Sequence, residues 1–452
     1  MSFPREAINL DVSVPVVVFS TNGDAIQQGC LGVIRSLGRL GVPVYAIVSD
    51  SFASAAVSRY VAGTFSWRGA YEQMLFPGLA SIGQELSRPA ILVPTDDPAA
   101  VFIAEHSETL GKWFLFPRLA RHLPRRLANK KELYSVCSSI GIPYPKTAFP
   151  TSLNDVHTFL EHATFPVVLK FAVPQNRPKN ARSVRVVKTQ EELFTHFRNA
   201  QQAGCSDLIL QEYVPDDCGE DWIFHGYVNP ATDCIVGFTG RKLRSYPPFA
   251  GSTTLGVSSP NEVLSGQTEF LLRSISYAGI MDLDYRFDRR DGQYKLLDFN
   301  PRIGANFRMF EDQAGMDVVR ALHLDLTGRS VRPAPPAQPR TFIVELLDVV
   351  ASLRYMRSGQ LTPQSWWRSV QGGRELAWFS WGDPAPFFAS CAHLLLAMIR
   401  KLAEPVWARL QAGLSKAVSI FDRRTVVTVP RVGDSRSGLQ NQRRRQNRSA
   451  ET

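Results

Sequence analysis

The first 120 residues alternate between two hydrophobic periods. VPVVVFS (14–20), VPVYAIVS (42–49), AILVPT (90–95) and WFLFP (113–117) are short apolar runs, whereas residues 25–40 carry apolar side chains at helical spacing. Buried strands separated by helices predict a parallel sheet covered on both faces. A helix at 129–141 (NKKELYSVCSSIG) and the Pro-punctuated IPYPKT come next. The pattern then changes, with FPVVLKF (165–171), SVRVVKT (183–189) and LILQEYV (208–214) reading as strands around a helix that starts at Gln190. DWIFHGYVN (221–229) and CIVGFTGRK (234–242) read as hairpin-like strands, and residues 279–301 form another hairpin that turns at Asp291-Gly292. RPAPPAQP (332–339) is a Pro-rich linker, followed by Trp- and Leu-rich helical patterns to about residue 421 and then a polar tail.

A chain of 452 residues, 44% apolar and 20% charged, has material for two to four domains with real cores. Its six cysteines include no C-x-x-C pair, so neither a zinc knuckle nor a disulfide framework is read, and a reducing cytoplasm is the expected location. The net charge of +10 does not imply nucleic acid, because +6 of it lies in residues 423–452, where eight arginines oppose Asp434 and Glu451. The N-terminus lacks the apolar core of a signal peptide. The most membrane-like stretch, 384–399, has 16 residues interrupted by Ser390 and His393, short of the roughly 20 that span a bilayer. Packing of residues 363–421, with their five tryptophans, on the protein body is the favoured expectation, and contact with a membrane surface beside the arginine tail is the other.

Two early features stay open. The glycines of GCLGVIRSLGRLG (29–41) lack the G-x-G-x-x-G fingerprint and are read as tight helix packing rather than a cofactor loop. Asp96 and Asp97 follow a strand end, as a ligand position or as a helix N-cap.

The final hairpin carries the clearest chemistry. Strand alternation sends Asp298 and Asn300 to one face and Phe299 into the core, with Asp284 across the turn able to join them. Two carboxylates and an amide oxygen suit Mg²⁺, which takes its remaining ligands from water and phosphate.

With Asp298-Phe299-Asn300-Pro301-Arg302 in view, residues 14–330 resemble the ATP-grasp superfamily of D-alanine:D-alanine ligase, biotin carboxylase, carbamoyl-phosphate synthetase and D-aspartate ligase. The resemblance implies an α/β and α+β chain divided into a Rossmann-like domain (1–120), a two-subdomain ATP-grasp domain (121–331), a linker with a helical C-terminal extension (332–421) and a basic tail (422–452). It implies that Asp284, Asp298 and Asn300 hold Mg²⁺ or Mn²⁺, that Lys130 and Lys170 reach ATP phosphates, and that Gln211, Glu212 and Val214 line the adenine linker. Glu220, in preference to its neighbour Asp221, is the implied ribose acid. Arg302 would stabilise charge on an acyl phosphate and tetrahedral intermediate, and Arg241, Lys242 and Arg244 would face substrate. The implied activity is ADP-forming carboxylate-amine ligation of small molecules. A degenerate ATP-binding regulator, favoured by a loop at 172–183 that has no glycine and would offer Arg177, Lys179 and Arg182 instead, and an ATP-grasp enzyme with a non-amine acceptor are the other readings.

Overall fold

The computed structural model describes residues 8–21, 27–66, 72–171, 184–205, 207–215, 219–248, 251–337, 339–372 and 374–400. The phosphate-loop candidates Arg177, Lys179 and Arg182, and the arginines of the tail, lie outside the described residues. Residues 1–393 form one unit and 394–452 a second.

The early strand-helix rhythm produces β1 (Val16–Phe19), β2 (Val44–Val48), β3 (Gly63–Ser66), β4 (Ala90–Pro94) and β5 (Phe114–Leu115). They form a parallel sheet in the order β3-β2-β1-β4-β5. All four residues of β1 are buried, which explains a run of apolar residues without polar alternation. β3, which the apolar pattern did not reveal, alternates half-buried and exposed positions at the sheet edge.

The strand order reverses between β1 and β4, and the crevice there is occupied by protein. Ile303 N–H donates to the Pro94 carbonyl (3.3 Å), so the segment after the DFNPR motif docks on the end of β4. The helix Gln28–Gly38 meets that same segment, and a Cβ on Gly32 would lie 2.5 Å from Cε1 of Phe307. The glycines of this helix therefore serve packing, though against residues 303–308 as well as the sheet.

A second sheet, antiparallel, comprises β6 (Thr147–Ala148), β7 (Val167–Phe171), β8 (Val184–Val187) and β9 (Leu208–Glu212), in the order β6-β9-β7-β8. The third contains β10 (Gly219–Val228), β11 (Cys234–Tyr246), β12 (Ser252–Ser258), β13 (Gly279–Asp288) and β14 (Gln293–Asn300). The C-terminal extension is helical at Glu345–Arg357, Pro363–Ser369 and 385–400, and it also adds β15 (Thr341–Ile343) and β16 (Arg374–Leu376), giving the order β14-β13-β10-β11-β12-β15-β16.

The two faces of this third sheet differ by strand parity. Trp222, Phe224, Leu283, Tyr285, Leu296 and Phe299 point into a core closed by the helices Lys130–Ile140 and Glu262–Ser274. Their neighbours Asp221, His225, Asp282, Asp284 and Asp298 point the other way, and at one end that face looks across a cleft to the second sheet.

Buried ion pairs fasten the extension to the rest of the first unit. Arg35 bonds Asp383 Oδ2 (2.9 Å) and the Trp378 and Asp383 carbonyls (2.7 Å each). Arg244 grips both oxygens of Asp348 (2.9 and 2.8 Å) and Ser369 Oγ (2.7 Å). Arg244 is thus a structural clamp and not a substrate contact.

Candidate active site

Antiparallel register assembles the metal-binding candidates. Asp284 lies directly opposite Asp298, and Asp282 opposite Asn300, across β13 and β14. The ladder slips between Asp284 and Tyr285, a bulge that releases the Leu297 carbonyl to accept from Lys130 Nζ (2.6 Å) and the Tyr134 hydroxyl (3.1 Å). Asn300 Nδ2 donates to the Asp282 carbonyl (3.0 Å), a bond that does not engage its Oδ1.

Each carboxylate faces a lysine. Lys130 Nζ pairs with Asp298, and Lys242 Nζ lies 2.7 Å from Asp284 Oδ1. Burial pushes the Asp284 carboxyl above the usual range, with Asp282 and Asp298 adding to the effect and Lys242 opposing it. Burial works against the charge of Lys242, but Asp284 outweighs it and holds the ammonium above its ordinary value. A divalent cation on the carboxylates, with phosphate oxygens on the lysines, would satisfy every group in this exchange. Among the described residues no three His, Cys, Asp or Glu form a metal cluster. Two carboxylates and an amide oxygen nonetheless fit Mg²⁺, which completes its octahedron with water and phosphate oxygens.

The lysines stand at one side of a cleft of about 890 Å³ between the second and third sheets. Lys170 and Gln211 line it from the smaller sheet, and Asp221, Lys242, Asp284 and Asp298 from the larger. Gln211 is buried by its bonds to Tyr134 and Thr147 (3.0 Å each), and its Oε1 accepts from Lys170 Nζ (2.7 Å). Burial, reinforced by nearby Lys130, pushes the Lys170 ammonium down to about 8. Glu212 pairs with Arg290 (2.6 Å) and Lys295 (3.2 Å), and the Val214 carbonyl accepts from Arg286 (3.0 Å). These two residues of the linker are therefore pinned to the larger sheet.

Two candidates fall outside the cleft. Glu220 pairs with Arg289 and lies 3.4 Å from Arg241, whose guanidinium sits over the Trp222 ring at 5.8 Å. Both share the core-side parity of Trp222, opposite to the carboxylates, so Arg241 is not placed to touch substrate and Asp221, not Glu220, faces the cleft. Counting parity from Asp284 through its cross-strand neighbours would have separated each pair.

At the far end of the polar face, Arg302 is held from two sides. Its Nη1 donates to Asp282 Oδ2 (2.8 Å), and its Nε lies 3.3 Å from Asp97 Oδ1 at the start of the helix Asp97–Glu105. Asp282 Oδ1 is in turn 2.9 Å from His225 Nε2, which also lies 2.9 Å from Asn306 Oδ1. Nε2 faces two oxygen acceptors, so it carries the proton. Burial opposes ionisation of Asp282, but His225 and Arg302 prevail and hold its carboxyl well below the usual range. Gly304 passes directly over this pair, where a Cβ would sit 2.0 Å from His225 Cε1. Asp96 is an N-cap, accepting from Ala99 N–H (2.8 Å), and it also binds Ser20 (2.6 Å) and the Thr21 amide (2.8 Å). The adjacent Asp97 is the one that reaches the site. The sequence reading singled out neither Asp282 nor His225.

No protein-family model matches the chain. It is 28% identical over 247 residues to a D-aspartate ligase of Enterococcus faecium (strain Aus0004), a match covering 52% of this chain and 58% of that enzyme. Among solved structures it resembles N5-carboxyaminoimidazole synthetase from Staphylococcus aureus complexed with ADP, at a TM-score of 0.57 and 11% identity over 78% of this chain and 89% of the other. It also resembles the biotin carboxylase domain of Hydrogenobacter thermophilus 2-oxoglutarate carboxylase, in complex with MgADP, ADP and bicarbonate, at a TM-score of 0.54 and 16% identity over 71% of each chain. These structural likenesses establish a shared fold.

Proposed function

We propose that this chain is an ATP-dependent carboxylate-amine ligase of the ATP-grasp superfamily. The observation that carries the reading is the pairing of Asp284 with Asp298 beside Asn300, on the polar face of a cleft entered by Lys130, Lys170 and Lys242. A substrate carboxylate oxygen attacks the γ-phosphorus of ATP, ADP departs, and an acyl phosphate results. The nitrogen of a neutral amine then attacks the acyl carbon and gives up a proton, and phosphate leaves with the bonding electrons as the amide forms. Lys170 and Lys130 hold phosphate oxygens in line, a positioning role that supplies most of what phosphoryl transfer asks of a protein. Bound at Asp284, Asp298 and Asn300, Mg²⁺ would supply charge neutralisation on the phosphates. Arg302, fixed by Asp282 and Asp97, presents its guanidinium to the oxyanion of the tetrahedral intermediate.

The similarity to a D-aspartate ligase makes an amino acid the amine to try first, D-aspartate above all. Because the match spans little more than half of that enzyme, both substrates are read as proposals. The test is ADP release from Mg-ATP with pairs of carboxylates and amino acids, D-aspartate included, and with hydroxylamine replacing the amine. ADP formation that requires a carboxylate, together with a hydroxamate in the hydroxylamine arm, is the expected result. ADP release indifferent to every carboxylate, with no hydroxamate, would remove the ligase reading.

A further inference from the structure

Amide formation obliges the attacking nitrogen to give up a proton, and most groups on the polar face are not free to take it. Charged lysines and arginines have no acceptor lone pair. Asp284 and Asp298 face Lys242, Lys130 and the metal position, and Asp282 is occupied by His225 and Arg302. Asp97 differs from all of these carboxylates. Among the described residues neither of its oxygens accepts a hydrogen bond, and Oδ1 is buried without one. Its ion pair with Arg302 Nε, at 3.3 Å, is looser than the 2.8 Å bond from Arg302 Nη1 to Asp282. The side chain as a whole is 36% exposed, so a substrate can reach the carboxylate.

Backbone contacts, and not this ion pair, bring Asp97 to Arg302. Asp97 opens the helix Asp97–Glu105, and its N-cap Asp96 is fixed by the Thr21 and Ala99 amides (2.8 Å each). Ile303 N–H donates to the Pro94 carbonyl (3.3 Å), which locks the chain one residue after Arg302 to the chain three residues before Asp97. Asp282 already holds the guanidinium, so a tether at Asp97 would be redundant. Burial pushes the Asp97 carboxyl above the usual range; Arg302 opposes this, and Asp298, Asp282 and Asp96 add to it. Such a group is better suited to accept a proton than an ordinary surface carboxylate. In the tetrahedral intermediate the acyl oxygen becomes negative and the attacking nitrogen positive. Arg302, whose Nη2 makes no hydrogen bond among the described residues, matches the first charge, and Asp97 beside it matches the second.

We infer that Asp97 is the proton acceptor of the amide-forming step, an inference that rests on the ligase reading. The nitrogen bonds to the acyl carbon, and one N–H breaks with its electron pair left on nitrogen. That proton passes to the Asp97 carboxylate, and the bond from acyl carbon to phosphate oxygen breaks with its electrons on the phosphate. Asp97 returns the proton to water after product leaves. The test assays the full chain with Mg-ATP and the carboxylate and amine that support ligation, and again with hydroxylamine in place of the amine. Hydroxylamine is unprotonated at neutral pH and attacks acyl phosphates without a base, so its arm reports the first step and the integrity of the site. Asp97→Asn and Asp97→Ser, both folded by circular dichroism, lower amide formation on the order of a hundredfold. Hydroxamate falls far less, so the ratio of amide to hydroxamate drops by at least about tenfold. A residue that only positions Arg302 would lower both products in proportion. An unmoved ratio, whether both rates fall or neither does, overturns the inference while hydroxamate from the parent leaves the ligase reading standing. A parent that forms no hydroxamate removes the ligase reading, and this inference with it.

Discussion

The two faces of the third sheet begin from the same backbone and end in opposite chemistry. On one side Trp222, Phe224, Tyr285 and Phe299 are sealed by helices; on the other their immediate neighbours Asp221, Asp284 and Asp298 face the cleft. A one-residue step along a strand therefore separates a core position from a site position, and chemical likeness between neighbours is no guide to role. Glu220 and Asp221 are both acidic, and Arg241 and Lys242 both cationic, yet in each pair the second residue alone lines the cleft. Burial makes the polar face costly unless charges are matched, and the lysine-carboxylate pairs and the His225-Asp282-Arg302 chain supply the matching.

The largest effect that separates the faces belongs to the carboxylates. Asp298→Asn and Asp284→Asn each preserve shape and remove one charge, and turnover measured by ADP release falls on the order of a hundredfold or more. Lys242→Met costs about tenfold or more, whereas Arg241→Met, one residue away, stays within about twofold because its ion pair is partly exposed and lies off the cleft. Equal losses from the two would dissolve the distinction between faces.

Asp282→Asn weakens the hold on Arg302 without touching nucleotide. Supporting partners of this kind are worth about ten- to a hundredfold, so kcat falls by about tenfold while KM for ATP is unchanged. A rise in KM for ATP with kcat intact would instead make Asp282 part of the nucleotide site. On the cleft's opposite wall, Lys170 adds a pH signature. Its ammonium titrates near 8, so it is charged below that value and neutral above it, and KM for Mg-ATP climbs as the pH rises through 8. Lys170→Gln binds ATP more weakly at all pH values and loses that inflection. At the small end of the scale, Asp221→Asn raises KM for ATP several-fold, and Glu220→Gln leaves it unchanged.

Much of this was legible in the chain. Continuous apolar runs located β1, β2 and β4, and the Asp291-Gly292 turn located the β13–β14 hairpin, because both signals are local. The placement of Asp284 opposite Asp298 followed from alternation alone. The misplacements came from long-range register. Nothing within residues 240–244 says which of three cations faces substrate; that depends on pairing with β10 and β12 and on the irregular register between Lys242 and Ser245. Arg244 finds its partner Asp348 more than a hundred residues away, and Asp97 meets Arg302 across a still longer separation in the chain. Strands β15 and β16 are three residues each, too short to leave a periodic trace.

The central claim is that the polar face of the hairpin performs the chemistry and that charge at Asp298 is what it requires. The most direct measurement is the kcat for ADP release at saturating Mg-ATP of Asp298→Asn beside that of Asp291→Asn, with circular dichroism confirming that both fold. Both substitutions remove one carboxylate from the same hairpin, but Asp291 sits in the turn, where Asn-Gly serves as well as Asp-Gly. The account predicts a loss on the order of a hundredfold or more for Asp298→Asn and wild-type turnover for Asp291→Asn. Equal losses in the two, or no loss in Asp298→Asn, would contradict it.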